Sequence, residues 1–458
     1  MTKRVRIGSG SAYWGDMFEP AVALAERGEV AYIGFDLLAE LTMSIFQRVK
    51  AKDPDKGYIP DLLTILRMVL PAAREHGVRL ILNGGAANPV AAGKAAAALA
   101  AEMGLKGLRI GTVTGDDIRD QLDDLEAAGW EFENLDTGER RLDRIKGDLV
   151  AAHAYIGSEG IIGALADGAD VVITGRVADS ALFVAPLMYE LGWSFDDPDW
   201  DRIGAAITLG HLVECAECVT GGMSNVWEAA CSPWDIGFPI LDVTDSPGGV
   251  TAVLEKTPGS GGIVNQWTVK EHLLYETHDP TSYLMPDGIG DFTTLRIEEL
   301  GDDRVRLAGM SGRARPDMLK AQIGYRDGWI GEGQVVFSWP DAPGKAQRAT
   351  EFLHHRFARA GLDPLALDMR FLGVDALHGD VAPPMAADPA ELCLRVAGRT
   401  RTREEADVVR REVTHLWTVG GLGTAFGTPS PPRPVIGLWP TLVPRDVVRP
   451  NWHVEEVA

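Results

Sequence analysis

The chain has 458 residues, 44 Lys+Arg against 66 Asp+Glu for a formal charge of −22, and is 45% hydrophobic and 24% charged. At roughly 100–200 residues per domain this length predicts two or three domains of ordinary globular composition. So acidic a chain argues against nucleic acid or an anionic membrane as partner, yet one basic pocket suffices for a small anionic substrate.

The opening MTKRVRIGSG has no apolar stretch or small-residue cleavage site of a signal peptide and reads as a first strand, 5–7, ending in Gly8-Ser9-Gly10-Ser11. A helix at 19–27 follows, then strand 30–34 ending at Phe35-Asp36, and helices at 37–49 and 61–76. Strand 78–82 ends in Asn83-Gly84-Gly85, and Asn88-Pro89 starts an Ala-rich helix, Pro standing where its missing N–H costs nothing. Strand 108–113, a helix from Asp116-Asp117, and strand 148–155 continue the alternation. The sixth strand, 169–173, runs into Thr174-Gly175-Arg176, and Asp179-Ser180 opens the next helix. Alternation of this kind implies right-handed βαβ units around a parallel sheet. The expected class is α/β with a mostly parallel, doubly wound sheet; the alternative is a barrel-like βα N-terminal half.

Helix 203–218 stops at Thr220-Gly221-Gly222 and a Gly/Pro-rich stretch follows, with a helix at 268–278. From 291 the pattern becomes α+β with an antiparallel sheet. Its expected parts are hairpins 292–300/304–309 and 320–325/329–337, the second turning at Arg326-Asp327-Gly328, helices 342–360 and 403–417, and strands 369–374 and 392–397. A tail with Pro429, Pro431, Pro432, Pro434, Pro440, Pro444 and Pro450 reads as extended and docked. The expected divisions are 1–235, 236–290, 291–425 and 426–458. No apolar run reaches the roughly 18–20 residues that span a bilayer. Four cysteines make no disulfide framework, which predicts a cytoplasmic setting.

Ligands of open α/β sheets sit beyond the carboxyl ends of parallel strands, near helix N-termini. Arg176 suits bidentate binding of a carboxylate or phosphate there; the alternative is an Arg176–Asp179 pair that caps the helix. Gly8-Ser9-Gly10-Ser11 departs from a dinucleotide fingerprint because Tyr13 stands where the third glycine belongs, although Asp36 follows strand two. Its amides suit a phosphate or carboxylate. His153, sharing a strand face with Tyr155 and followed by Glu159, is a usable general base or a histidine satisfied by backbone. Thr174 and Asn83 can donate hydrogen bonds to developing negative charge. Gly84, Gly85, Thr220, Gly221 and Gly222 complete the substrate-binding set.

His211, Glu214, Cys215 and Cys218 fall on one helix face. They resemble half a zinc motif that Cys231 could complete, but a second C-x-x-C is absent. No metal site is assigned; the alternative set is His211, Cys215 and Cys218. A nucleophilic Cys215 needs a helix N-terminus or a cation to form thiolate, and buried structural cysteines are the simpler reading. Residues 258–262, Pro-Gly-Ser-Gly-Gly, suit a lid, an anion-cradling turn or a plain surface loop. No P-loop, G-x-S-x-G or H-E-x-x-H is present.

Several of these segments, in order across most of 4–345, resemble the AtuA family of acyclic terpene utilisation proteins. They are Asn83-Gly84-Gly85, Ile173-Thr174-Gly175-Arg176 with Asp179, and Gly210-His211-Leu212-Val213-Glu214-Cys215. Val219-Thr220-Gly221-Gly222, Gly237-Phe238-Pro239-Ile240, and Leu273-Leu274-Tyr275-Glu276 with Asp279-Pro280 extend the resemblance. Where Cys218 stands, the family commonly has a small or polar residue. The resemblance implies a place in bacterial breakdown of acyclic terpenes and other branched acids, beside acyl-CoA enzymes. Longer relatives carry a short C-terminal domain not evident here, which implies a small companion chain.

The resulting expectation is a lyase or hydratase acting on a branched hydroxy acid or its CoA thioester. Arg176 and the 8–11 amides would hold the anion, His153 or Glu159 would move the proton, and no bound cofactor is expected, CoA entering only as part of the substrate. A homo-oligomer is expected. The alternatives are a non-catalytic, partner-dependent subunit of a two-chain enzyme and a thioester hydrolase with Cys215 as nucleophile.

Overall fold

Short β-branched runs ending in small or polar residues form the centre of the main sheet. The computed structural model describes residues 2–385, 389–427 and 430–458, so Pro429 of the tail lies outside the described residues. The chain divides into two units, one of 1–144, 150–324 and 438–458, the other of 145–149 and 325–437.

In the first unit β1 (Lys3–Ser9), α1 (Glu19–Arg27), β2 (Tyr32–Phe35), α2 (Glu40–Lys50) and α3 (Asp61–His76) lead to β3 (Arg79–Leu82) and α4 (Pro89–Glu102). Then come β4 (Arg109–Thr114), α5 (Leu122–Ala127), β5 (Leu149–Ala154), α6 (Glu159–Ala166), β6 (Val171–Thr174), α7 (Ala181–Leu191) and α8 (Trp200–Glu214). The strands β7 (Pro239–Ser246) and β8 (Gly249–Lys256), helix α9 (Gln266–Leu274), and short strands β9 (Tyr283–Met285) and β10 (Gly288–Asp291) follow. Next are β11 (Arg296–Gly301), β12 (Arg304–Ala308), β13 (Ser311–Arg313) and the long β14 (Met318–Ser338).

The main sheet has the order β11-β12-β8-β7-β1-β2-β3-β6-β4, completed at its far edge by β19 (Asn451–Glu456). Its centre, β1-β2-β3-β6-β4, is parallel, and the flanking strands run antiparallel. Every residue of β2 and β6 is buried, as expected for strands covered on both faces. Ile33 and Phe35 of β2 enter a core shared with Leu24, Ile65, Leu66, Val69 and Leu99 of the first helices. The mixed α/β class with a parallel centre is therefore as expected. The barrel alternative is not: the sheet stays open, ending in β11 on one side and β19 on the other.

Two further expectations need correction. The segment expected as the fifth strand is a strand, but it does not join the parallel sheet; it pairs with β14, the Tyr155 N–H donating to the Lys320 carbonyl at 2.9 Å. Periodicity identifies a strand without naming its neighbour. The hairpin expected at Arg326-Asp327-Gly328 is instead unbroken strand. Gly328 does have positive φ (+85°), but its role is close approach: a Cβ there would lie 2.2 Å from the Thr400 carbonyl oxygen. The tail at 451–456 is extended and seated on β4, with Asn451 opposite Thr114 and Glu456 opposite Arg109.

The second unit is an antiparallel sheet under two helices. From β14 it continues through α10 (Ala342–Arg359), β15 (Ala366–Leu372), β16 (Glu391–Thr400), α11 (Arg403–Val419), β17 (Thr424–Phe426) and β18 (Arg433–Pro444), the sheet order being β15-β16-β14-β17. A T-x-x-E capping box starts α11: the Glu405 N–H donates to Thr402 Oγ1 at 3.2 Å, and the Thr402 N–H donates to Glu405 Oε2 at 3.1 Å. Its core joins Val335 and Phe337 to Leu353, Leu394, Val409 and Leu416. Tyr325 and Gly437, near its two ends, touch: a Cβ on Gly437 would sit 2.4 Å from the tyrosine ring. No helix among the described residues is long and apolar enough to cross a membrane.

Candidate functional site

Beyond the end of β6 the chain turns through Gly175 because no larger residue fits: a Cβ there would meet the Asp116 carboxylate at 2.5 Å. Asp116 Oδ2 accepts the Arg176 N–H at 2.9 Å and lies 3.0 Å from His153 Nδ1. The Arg176 side chain then runs inward and is only 2% exposed. Its Nη1 donates to the Leu38 carbonyl at 3.0 Å, its Nη2 donates to Asp179, and its guanidinium carbon stands 4.4 Å above the Tyr155 ring. Its Nε has no partner among the described residues. Burial works against the charge on Arg176, but Asp179, Tyr155, Asp36 and Glu40 outweigh it and hold the group firmly protonated.

The end of β2 supplies the next layer. Asn83 Nδ2 donates to Asp36 Oδ1 at 2.6 Å, while Asn83 Oδ1 accepts the Leu37 N–H at 2.7 Å. Ser11 Oγ donates to the Asp36 carbonyl at 2.8 Å. Burial, then the neighbouring Asp179, pushes the Asp36 carboxyl well above the usual range. Asp179 is also raised, burial being partly countered by Arg176.

A cavity of about 590 Å³ opens against this turn. Its lining combines Leu135, Leu284, Met285, Met318, Leu319 and Leu442 with Glu40, Tyr155, Asp179, Glu214, Glu276, Tyr283 and Lys320. Lys320 Nζ stands 3.3 Å from Glu40 and 4.8 Å above the Tyr155 ring, which thus has a cation near it from both Lys320 and Arg176. Burial would raise Glu40; Lys320 and the other favourable partners bring it below its ordinary value. The Tyr155 hydroxyl is buried beside Glu40.

Helix α8 delivers Glu214 to the same cavity. Glu214 Oε1 lies 3.0 Å from His211 Nδ1, and His211 Nε2 faces the Leu273 carbonyl at 3.3 Å. The imidazole stacks on His272 at 5.6 Å and on Phe292 at 5.2 Å, with Tyr283 at 4.8 Å. Burial lowers His211 to about 4; burial, then Asp179 and Glu276, pushes Glu214 well above the carboxylate range. Glu214 Oε2 has no partner.

Asp36, Asn83, Arg176 and Asp179 are thus brought together. Thr174 Oγ1 is spent on the Gly175 carbonyl at 3.0 Å, and Gly84 and Gly85 form the adjoining turn, their carbonyls accepting from Ile59 and Asn88 at 2.9 Å each. Of the expected catalytic and substrate-binding residues Asp179 lines the cavity, and the others lie off its wall. His153 is held by Asp116, Glu159 pairs with Arg315 at 2.6 Å, and the Gly10 N–H is used on the Gly34 carbonyl at 2.8 Å between Gly8-Ser9 and Ser11. Thr220 Oγ1 donates to the Glu217 carbonyl at 3.2 Å, and Gly221 and Gly222 form a turn whose Thr220 carbonyl accepts from Ile263. Cys215 and Cys218 are free thiols, and Cys215 is raised by a hydrogen bond with Cys218 and then by burial, the opposite of what a nucleophile requires. Among the described residues no three His, Cys, Asp or Glu side chains have metal-holding geometry, and both His211 nitrogens are engaged. Sequence reasoning missed Glu40, Glu276, Tyr283 and Lys320. Glu276 belongs to the Leu273-Leu274-Tyr275-Glu276 segment; Tyr283 and Lys320 come from strands with no local signal.

A family model described as acyclic terpene utilisation family protein AtuA matches residues 5–454, so the likeness runs past residue 345 through nearly the whole chain, which belongs to that family. Membership associates it with acyclic terpene utilisation. No curated protein and no solved structure matches it.

Proposed function

We propose that this cavity binds a branched aliphatic acid, as hydroxy acid or CoA thioester, and that the chain acts on it as a lyase of the hydratase class. One observation carries the reading: a single cavity is lined both by apolar side chains and by Lys320, Asp179 and Glu214. A methyl-branched chain gains about 0.8 kcal/mol for each CH₂ buried against such apolar side chains. Lys320 would meet the carboxylate or thioester carbonyl. Asp179, poised between burial and Arg176, takes or returns the proton on the carbon beside that carbonyl. Arg176, already committed to Asp179, Leu38 and Tyr155, serves as a positioning residue.

The test is a thermal-shift and turnover panel of branched hydroxy acids, their CoA thioesters, nicotinamide cofactors and divalent metals. A true ligand at 100 times its Kd stabilises by about 2.7 kcal/mol. Asp179→Asn is expected to keep that shift and lose turnover by a factor of roughly 10²–10⁴. Absence of any shift and any turnover with branched acids and thioesters removes the proposal. Activity of the purified single chain separates it from a partner-dependent subunit.

A further inference from the structure

Glu214 and His211 share one proton across a buried contact. A backbone carbonyl only accepts, so His211 Nε2, facing the Leu273 oxygen at 3.3 Å, carries a hydrogen. In a neutral imidazole Nδ1 is then an acceptor. Its partner 3.0 Å away, Glu214 Oε1, then supplies the hydrogen; the other arrangement with this geometry, imidazolium and carboxylate, would separate charge inside an aromatic enclosure and leave Oε2 of the carboxylate unpartnered. The ring is enclosed by His272, Tyr283 and Phe292, so no water-filled face offers its nitrogens another partner. His272 does not compete for the proton, because its Nε2 faces the His211 carbonyl at 3.2 Å. On the other side of the carboxyl, Oε2 is without a partner and Glu214 lines the cavity.

We infer that Glu214 is held as a neutral carboxylic acid which relays protons between the cavity and His211, Oε2 facing the substrate and Oε1 facing Nδ1. When water adds across a double bond, its oxygen forms the new C–O bond and one of its O–H protons passes to Oε2. The Oε1 proton passes to Nδ1 at the same time. Glu214 begins and ends neutral, and the positive charge appears on His211. Asp179, which for this step must first take a proton from solvent, gives it to the adjacent carbon and returns to the carboxylate it forms beside Arg176, so the total charge is unchanged through the step. Dehydration is the reverse, the hydroxyl leaving as water with the proton from Oε2. The directions of the two groups, His211 lowered and Glu214 raised, agree with the neutral pair at rest, and the nearby Glu276 and Asp179 favour the imidazolium when it forms. The traffic with substrate rests on the hydratase reading above; the shared proton does not.

Two measurements on ligand-free protein decide the matter. The infrared difference between wild type and Glu214→Gln at neutral pH should contain the carbonyl stretch of a protonated carboxylic acid; loss of carboxylate bands instead overturns the inference. Nitrogen-15 resonances of wild-type His211 should show a neutral Nε2–H tautomer; an Nδ1–H tautomer or an imidazolium at rest overturns it, even if Glu214→Gln fails to fold. Glu214→Gln is further expected to keep the thermal shift from substrate and lose at least about 100-fold in turnover. Should no panel compound bind, the hydratase reading fails while both spectra still decide the proton's place.

Discussion

Two acid–base pairs border the cavity with the same spacing, Arg176 with Asp179 and His211 with Glu214, each at i,i+3. Burial treats them differently. A guanidinium cannot give up its proton, so Asp179 always faces a full positive charge, and leaving the pair unmatched means stranding that charge. An imidazole can, so the second pair avoids charge separation by keeping one proton on the acid. The same spacing thus yields an ionic pair in one case and a neutral hydrogen bond in the other, because of the base.

That contrast can be broken experimentally. The largest effect is expected from Arg176→Met, which leaves Asp179 and Asp36 without their buried cation; a loss of about 3–5 kcal/mol in urea unfolding at pH 7 should shrink on acidification as Asp179 takes a proton instead. A loss below about 1 kcal/mol would show that the ion pair does not organise the turn. His211→Phe fits the aromatic stack but leaves the Glu214 acid hydrogen without an acceptor, and should cost only about 1–3 kcal/mol, because no charge is stranded.

A pH series sharpens the comparison. His272, lowered to about 3 by burial and then by His211, protonates more readily unfolded than folded. Its stabilising share is complete above the unfolded value of about 6.5 and is lost as pH falls, by up to about 1.4 kcal/mol per pH unit. Glu214, raised, acts in the opposite sense: its share is present below the ordinary carboxylate value and is lost as pH rises. His272→Phe should therefore flatten the acid-side fall of the urea midpoint between about pH 6.5 and 4.5; an unchanged slope would contradict a buried neutral His272. The smallest effect belongs to His211→Phe combined with Glu214→Leu. Replacing both partners by apolar groups should restore most of what His211→Phe alone loses, within about 1 kcal/mol of wild type.

The fold was legible where physics is local. Runs such as Val171–Thr174 declare a buried strand, and the charged turn after it, with Arg176 and Asp179, is readable from residue types alone. Partnership was not legible. Nothing within 149–154 says that the strand belongs with β14, and a glycine that permits a turn at 328 equally permits the close approach of a neighbouring carbonyl. The same limit governs the site. The spacing of His211 and Glu214 singled them out, but as half a zinc motif; what decides their chemistry is a carbonyl 62 residues further along, at Leu273. Lys320 and Tyr283 reach the cavity from strands whose local pattern is ordinary.

The contact between Tyr325 and Gly437 bears on the order of events during folding. The edge pairing of β4 with β19 joins residues near 110 to residues near 455, and the entropy of closing a loop grows with its length. Once 325–437 has folded, its ends are adjacent, and that stretch acts as a short tether between residue 324 and residue 438. An early-folding insert would thus hasten the final zipping of the sheet, and destabilising Phe337 or Leu394 would delay a strand pairing to which neither contributes a residue.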